Sequence, residues 1–232
     1  AAQAQPVTGL YVAGAVGANW HSDVTAEAVP AGEGPFSMRT SSSVGWVALA
    51  SAGWGFGNGL RLEGEANYRS NDVDTVNTTY FGVPASSGFR TGYISTMGLM
   101  VNALYDIGAT QGWPVHLTLG GGVGYAWHRW TNVGSAVFGS PDNRFNIRGT
   151  DGGFAWQLIA GMGVPVRAVP GLAVTLEYRY FATADASMTA TSSFPGFATS
   201  GNTNVSNTNQ SVLIGVRYNF GQRPAAPPPP VV

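Results

Sequence analysis

Residues 60–69 read LRLEGEANYR, with Arg61, Glu63, Glu65, Asn67 and Arg69 at odd positions and Leu60, Leu62, Gly64, Ala66 and Tyr68 at even ones. Successive side chains of an extended strand point to opposite faces. The stretch therefore predicts a strand with one charged face and one face suited to hydrocarbon. A helix would spread these charges around its circumference, and no 3.6-residue stripe is present. Taken alone, the pattern fits a water-soluble barrel with the Leu face inside. It also fits a membrane barrel read inside out, with the charges in the lumen.

Seven further stretches show the same period. Residues 7–20 place Leu10, Val12, Val16 and Trp20 against Tyr11, Ala13, Ala15, Gly17 and Asn19. Residues 43–56 set Trp46, Ala48, Ala50, Ala52, Trp54 and Phe56 against Val47, Leu49, Ser51 and Gly53. This is the weakest alternation, and it leaves room for a bulge. Gly57-Asn58-Gly59 then predicts a tight hairpin into Leu60. Residues 93–107 oppose Met97, Leu99, Val101, Ala103 and Tyr105 to Thr96, Gly98, Met100, Asn102 and Leu104. Residues 115–130 oppose Leu117, Leu119, Val123, Tyr125 and Trp127 to His116, Thr118, three glycines, Ala126 and His128. Residues 154–164 oppose Phe154, Trp156, Leu158 and Met162 to Ala155, Gln157, Ile159 and two glycines. Residues 172–181 oppose Leu172, Val174, Leu176, Tyr178 and Tyr180 to Thr175, Glu177, Arg179 and Phe181. Residues 211–220 oppose Val212, Ile214, Val216, Tyr218 and Phe220 to Gly215, Arg217 and Asn219.

The connections alternate between short and long. The long ones are polar segments at about 21–42, 70–92, 131–153 and 182–209. Short periplasmic turns and longer extracellular loops mark an outer-membrane barrel. The outward rings also sort into two belts. Trp20, Trp46, Tyr68, Tyr125, Trp127, Trp156, Tyr178 and Tyr180 lie toward the loop end, and Trp54, Phe56, Tyr105, Tyr218 and Phe220 toward the turn end. A soluble barrel has no reason to sort its rings this way, whereas two membrane interfaces do.

Composition favours the same reading. Charged residues make up 10% of the 232, against roughly 25% in soluble domains. Aromatic residues reach 12%. No apolar run of ~18 residues exists, so the chain holds no transmembrane helix. With no cysteine, a disulfide framework and a thiolate metal site are excluded. A net charge of −1 without a basic cluster argues against nucleic acid. The predicted fold is all-β: an eight-stranded antiparallel up-and-down transmembrane β-barrel over residues 7–220. An N-terminal periplasmic segment (1–6) precedes it, and a Pro-rich periplasmic linker (221–232) follows. The opening AAQAQPVTG suits a mature end left by cleavage after small residues.

Inside such a barrel, Arg61, Glu63, Glu65, Glu177, Arg179 and Arg217 form an expected ion-pair network, with Asn102 and Gln157 as further polar lumen residues. Glu65, Glu177 and Arg179 are expected at mid-lumen, and Arg61, Glu63 and Arg217 in a lower layer. Small inward residues on the first, fifth and sixth strands leave room for them. The shared face of Glu63 and Glu65 also resembles a glycosidase carboxylate pair, but near-balanced charges fit structural pairing better. His116 and His128 lie twelve residues apart on one strand, roughly 40 Å at ~3.3 Å per residue, so one metal cannot bind both. No cofactor or metal is expected. A lipid-modifying Ser/His pair would need a serine beside His128 near the outer leaflet, and its strand carries none. The run GGGVG at 120–124 precedes no helix, so it is no phosphate loop.

Several motifs together resemble the N-terminal barrel of OmpA-type outer-membrane proteins. They are GLYVAGAVG (9–17), GNGLRLEGEANYRSN (57–71), VNALYD (101–106), LGGGVGYA (119–126), FAWQLIAGMG (154–163), LEYRYF (176–181) and GVRYNFG (215–221) before a Pro-rich hinge. In that family the hinge leads to a peptidoglycan-binding domain, so peptidoglycan is an expected partner only through a domain outside these residues. Tyr218-Asn219-Phe220, with Gly215 at a matching offset, is similar to the assembly signal read by the barrel-insertion machinery. Leu213 stands where that signal usually has a polar residue. The resemblance implies the outer membrane of a Gram-negative cell, both termini periplasmic, with lipid and lipopolysaccharide as partners. It also implies a non-enzymatic structural barrel supporting envelope integrity. A small porin, an adhesin or receptor, and a lipid-modifying enzyme are the alternatives.

Overall fold

The computed structural model describes residues 5–22, 24–28, 36–80, 83–84, 86–111, 113–137, 140–192 and 200–221. The strands are β1 (Thr8–His21), β2 (Val24–Ala28), β3 (Phe36–Ser42), β4 (Gly45–Phe56), β5 (Leu60–Tyr80) and β6 (Val83–Pro84). They continue as β7 (Ser86–Ile107), β8 (His116–Val137), β9 (Ser140–Pro165), β10 (Leu172–Ser192) and β11 (Ser200–Asn219). Eight of them pair antiparallel in the cyclic order β1-β4-β5-β7-β8-β9-β10-β11. The ladder closes where β1 pairs β11 from Tyr11↔Asn219 to His21↔Asn209. Closure removes every sheet edge within the barrel, as a hydrocarbon environment demands of backbone N–H and C=O groups. The remaining strands extend one rim: β2 pairs β3, β3 pairs the far end of β5, and β6 pairs its tip.

Burial shows which face is inside. Val101 is 62% exposed, Ile214 60% and Leu119 54%, whereas Arg69 is 1% exposed, Arg179 2% and Asn102 0%. The charged face lines the interior and the apolar face covers the outside, the reverse of a soluble barrel. The outer rings meet across strands: Trp46 with Tyr68 (centroids 5.3 Å apart) and Trp156 with Tyr180 (5.4 Å) toward one rim. Tyr218 meets Phe220 (5.0 Å) toward the other. Trp46 and Phe56 on β4 are ten steps apart, roughly 33 Å along the strand. At the usual ~40° tilt this spans about 25 Å, the height of an outer-membrane apolar band.

Short turns close one rim. Gly57 and Gly59 adopt φ of 80° and 95°, which a side-chain-bearing residue takes only with strain. Asn58 Oδ1 accepts the Leu60 amide at 3.0 Å. The bulge allowed in residues 43–56 is absent, since β4 holds unbroken register with both β1 and β5. Irregularities fall instead near the opposite rim, at Thr183/Ala186 and at Trp130/Val133.

There the structure corrects the expected loops. Residues 70–92, 131–153 and 182–209 are largely strand: β5 runs to Tyr80, β8 to Val137, β9 starts at Ser140 and β11 at Ser200. Beyond the apolar band both faces of a strand meet water, so side-chain alternation ends while backbone pairing continues. Residues 222–232 of the expected linker (221–232), the first four residues and parts of the expected loops lie outside the described residues.

Candidate functional site: the barrel lumen

Every barrel strand sends alternate side chains inward, and they meet in layers. At the turn end, β5 and β7 place Arg61 against Asp106, with Nε and Nη2 each donating at 2.9 Å to the two carboxylate oxygens. Thr118 Oγ1 donates to Asp106 at 2.7 Å, and Arg217 Nη1 approaches it at 3.5 Å. Arg217 Nη2 also donates to His116 Nε2 at 3.0 Å. The Arg61 guanidinium lies 5.1 Å from the Tyr11 ring centroid, within cation–π range.

In the middle, Arg179 Nη1 pairs with Glu65 Oε2. Its Nε and Nη2 donate to Glu177 at 2.9 and 2.8 Å. Asn102 Nδ2 donates to Glu65 at 2.7 Å and to Glu63 at 3.1 Å. Gln157 Nε2 donates to Asn102 Oδ1 at 2.8 Å, and Asn67 Nδ2 donates to Glu65 at 2.8 Å. Glu63 meets no arginine in this set. Tyr11 Oη donates to it at 2.8 Å and Ser51 Oγ at 3.2 Å. Glu65, Glu177 and Arg179 thus meet in one layer and Arg61 with Arg217 in another, whereas Glu63 joins Tyr11 and Ser51.

Sequence reasoning did not single out Asp106. The signal was present, because Met100, Asn102 and Leu104 face inward and Asp106 continues their parity. Tyr11, His116 and Arg69 were likewise legible as inward but had no assigned partners. The lumen is not wholly polar: Ala15, Val47, Leu49 and Leu213 form one buried apolar cluster, and Met100, Ala126, Ala155 and Phe181 another. Leu213 packs in the first, which accounts for an apolar residue at that position. The glycines of β8 make room for the network, since a Cβ on Gly122 would collide with the Asn102 side chain and Val101 carbonyl.

Toward the rim opposite the short turns the polar groups are mostly neutral. Asn19, Asn71, Asn207, Asn209, Ser211, Thr96 and His128 are buried there. A cavity of about 20 Å³ lies lower, lined among others by Arg61, Glu63, Glu177, Arg179 and Arg217. That volume holds about one water, not a solute.

A closed antiparallel barrel with an apolar exterior, two ring belts and a side-chain-filled charged lumen defines a transmembrane barrel of the outer membrane. The chain belongs to the outer membrane protein beta-barrel domain family, whose model matches residues 1–220. An outer membrane protein of Gluconacetobacter diazotrophicus is 35% identical over 201 residues, covering 81% of this chain and 51% of the relative. The chain therefore spans about half the length of that curated relative. Among solved structures, the barrel is similar to OprG of Pseudomonas aeruginosa (12% identity, 94% of this chain and 100% of that one, TM-score 0.57). It is also similar to Neisserial surface protein A (18%, 93% and 100%, TM-score 0.50). The outer membrane protease OmpT of Escherichia coli matches at 8% identity over 91% of this chain and 97% of that one, TM-score 0.55. The likeness to solved structures establishes the fold, and the family match supports the outer membrane as its place.

Proposed function

We propose that this chain is a non-enzymatic structural barrel of the OmpA type. It supports envelope integrity with a plugged lumen, periplasmic termini and an outer rim available for surface contacts. The observation that carries this reading is the layer of Glu65, Arg179, Asn102 and Gln157. Each of these is at most 4% exposed and hydrogen-bonds to another of the set, Arg179 reaching Glu65 from the opposite side of the barrel. Eight strands enclose an interior that side chains can fill, and here they supply a connected network at mid-lumen.

The same contacts speak against catalysis. Glu63 and Glu65 both accept several buried hydrogen bonds, leaving no site for a sugar between them. His128 Nδ1 is engaged by Thr96 and Asn207 rather than by a serine. The family's tether to peptidoglycan would require a domain outside these residues.

Planar-bilayer recording tests the plug. The unmutated barrel should show little or transient conductance, and Glu65→Ala with Glu177→Ala together should raise it. A large, steady conductance in the unmutated protein, unaffected by the double change, would replace this reading with a porin.

A further inference from the structure

Beyond the last outward ring of β8 the alternation continues: Trp127 and Arg129 are exposed, His128 and Trp130 buried. Arg129 therefore points away from the lumen, on the face that carries the apolar band. Register gives its neighbours there. Arg129 pairs with Ser95 on β7 and with Thr150 on β9, and Ser95 pairs with Ser70 on β5. Residues directly opposite across antiparallel strands hold their Cβ atoms about 4.5–5.5 Å apart. One guanidinium and three hydroxyls thus lie side by side on four adjoining strands. Ser95 is buried, so a ligand can reach Arg129, the exposed Thr150 and the half-buried Ser70.

Arg129 also differs from the lumen arginines in what engages it. Arg61, Arg179 and Arg217 each pair with a carboxylate. Among the described residues, no carboxylate, hydrogen-bond acceptor or ring engages Arg129. The nearest outward carboxylate in these rows is Asp72, two strands across and one row further out. Strand geometry puts it roughly 12 Å away. On the other side, the next row toward the short turns holds Tyr68, Met97 and Trp127, and the one after it Leu99, Tyr125 and Phe154. The polar row is thus the first beyond the rings of Tyr68 and Trp127. Such rings sit at headgroup level, where the anions are lipid phosphates.

We propose that Arg129, Thr150 and Ser70 form a binding site for a phosphate-bearing lipid headgroup, a ligand function beyond the structural role above. The guanidinium fork takes two phosphate oxygens, and the Thr150 hydroxyl beside it donates a further hydrogen bond. The acyl chains run down the band past Trp127 and Phe154, which are 40% and 54% exposed. A free phosphate would gain the polar contacts and forgo the apolar ones, so the occupant is a lipid.

The test adds phosphatidic acid, or diacylglycerol with the same acyl chains, to the full chain in a neutral detergent and follows retained lipid by native mass spectrometry. The wild-type protein should retain phosphatidic acid in preference to diacylglycerol, and an excess of inorganic phosphate should not displace it. Arg129→Gln should weaken retention about fivefold, the factor for one basic residue at a lipid surface. Because Arg129 holds no partner among the described residues, this variant should keep the heat-modifiable gel mobility of the folded barrel. Arg167→Gln is the control: that arginine is exposed in the short turn between β9 and β10, and its loss should leave retention unchanged. Equal retention of the two lipids, undiminished retention in Arg129→Gln, an equal fall in Arg167→Gln, or full displacement by inorganic phosphate overturns the proposal.

Discussion

Asp106 sits between two buried arginines and answers both: Arg61 bidentately, Arg217 at 3.5 Å. Asp106→Asn keeps the shape but withdraws the negative charge from between them. Breaking a buried pair from one side typically costs ~3–5 kcal/mol, so urea unfolding followed by tryptophan fluorescence in micelles should report a loss of that order. Glu63→Gln should cost less, because neutral donors, Tyr11, Ser51 and Asn102, hold that carboxylate. Equal losses for the two variants would contradict this assignment of partners. The face on which each of these residues lies was legible from parity alone. Which carboxylate meets which cation was not, because pairing across the lumen depends on strand stagger, which alternation does not encode. Arg179 reaches Glu65 across 114 positions of sequence, and nothing local selects that contact.

At the level of the strand, sequence and structure agree inside the apolar band and part at its outer edge. Within the band, lipid on one side and lumen on the other impose strict alternation, so phase and register parity could be read directly. Residues 131–153 lack that alternation, yet β8 and β9 stay paired there, from Val133↔Ile147 to Val137↔Ser140. Ladder hydrogen bonds need backbone, not polarity. Amide exchange on the inserted protein should therefore show protection at Val133 and Ile147, well beyond the last outward ring of β8. Rapid exchange at both would mean the hairpin does not persist. The terminal strand makes a separate demand. Phe220 points outward, 58% exposed, against Tyr218, whereas Phe181 is fully buried against Arg69. Phe220→Ala should lower the fraction of protein inserted in outer membranes, and Phe181→Ala should spare insertion while lowering the unfolding temperature of what is inserted. Equal insertion yields would argue against an assembly role for Phe220.

For the molecule as a whole, the outward band from Trp46 to Phe56 and its counterparts around the barrel form a continuous apolar surface. Water cannot cover it without aggregation. The folded protein should need detergent or lipid and should migrate faster on an unheated denaturing gel than after boiling. A monodisperse detergent-free preparation would be incompatible with the lipid-facing reading. Gel mobility before and after heating is also the simplest assay for each variant above.

The seam between β1 and β11 has a consequence in time. The first strand to be synthesised finds one of its two neighbours only in the last, and their side chains interlock: Ser211 Oγ donates to Asn19 Oδ1 at 2.7 Å across 192 positions. Phe220 N donates to the Leu10 carbonyl at 3.0 Å beside it. Until the final strand arrives, Thr8–His21 carries an open row of donors and acceptors that no partial product can satisfy. A ribosome that stops early therefore yields not a smaller barrel but a sheet with two sticky margins. Arrival of the last barrel strand is itself the checkpoint, and a nascent molecule must be shielded from its neighbours for the whole interval between its first barrel strand and its last.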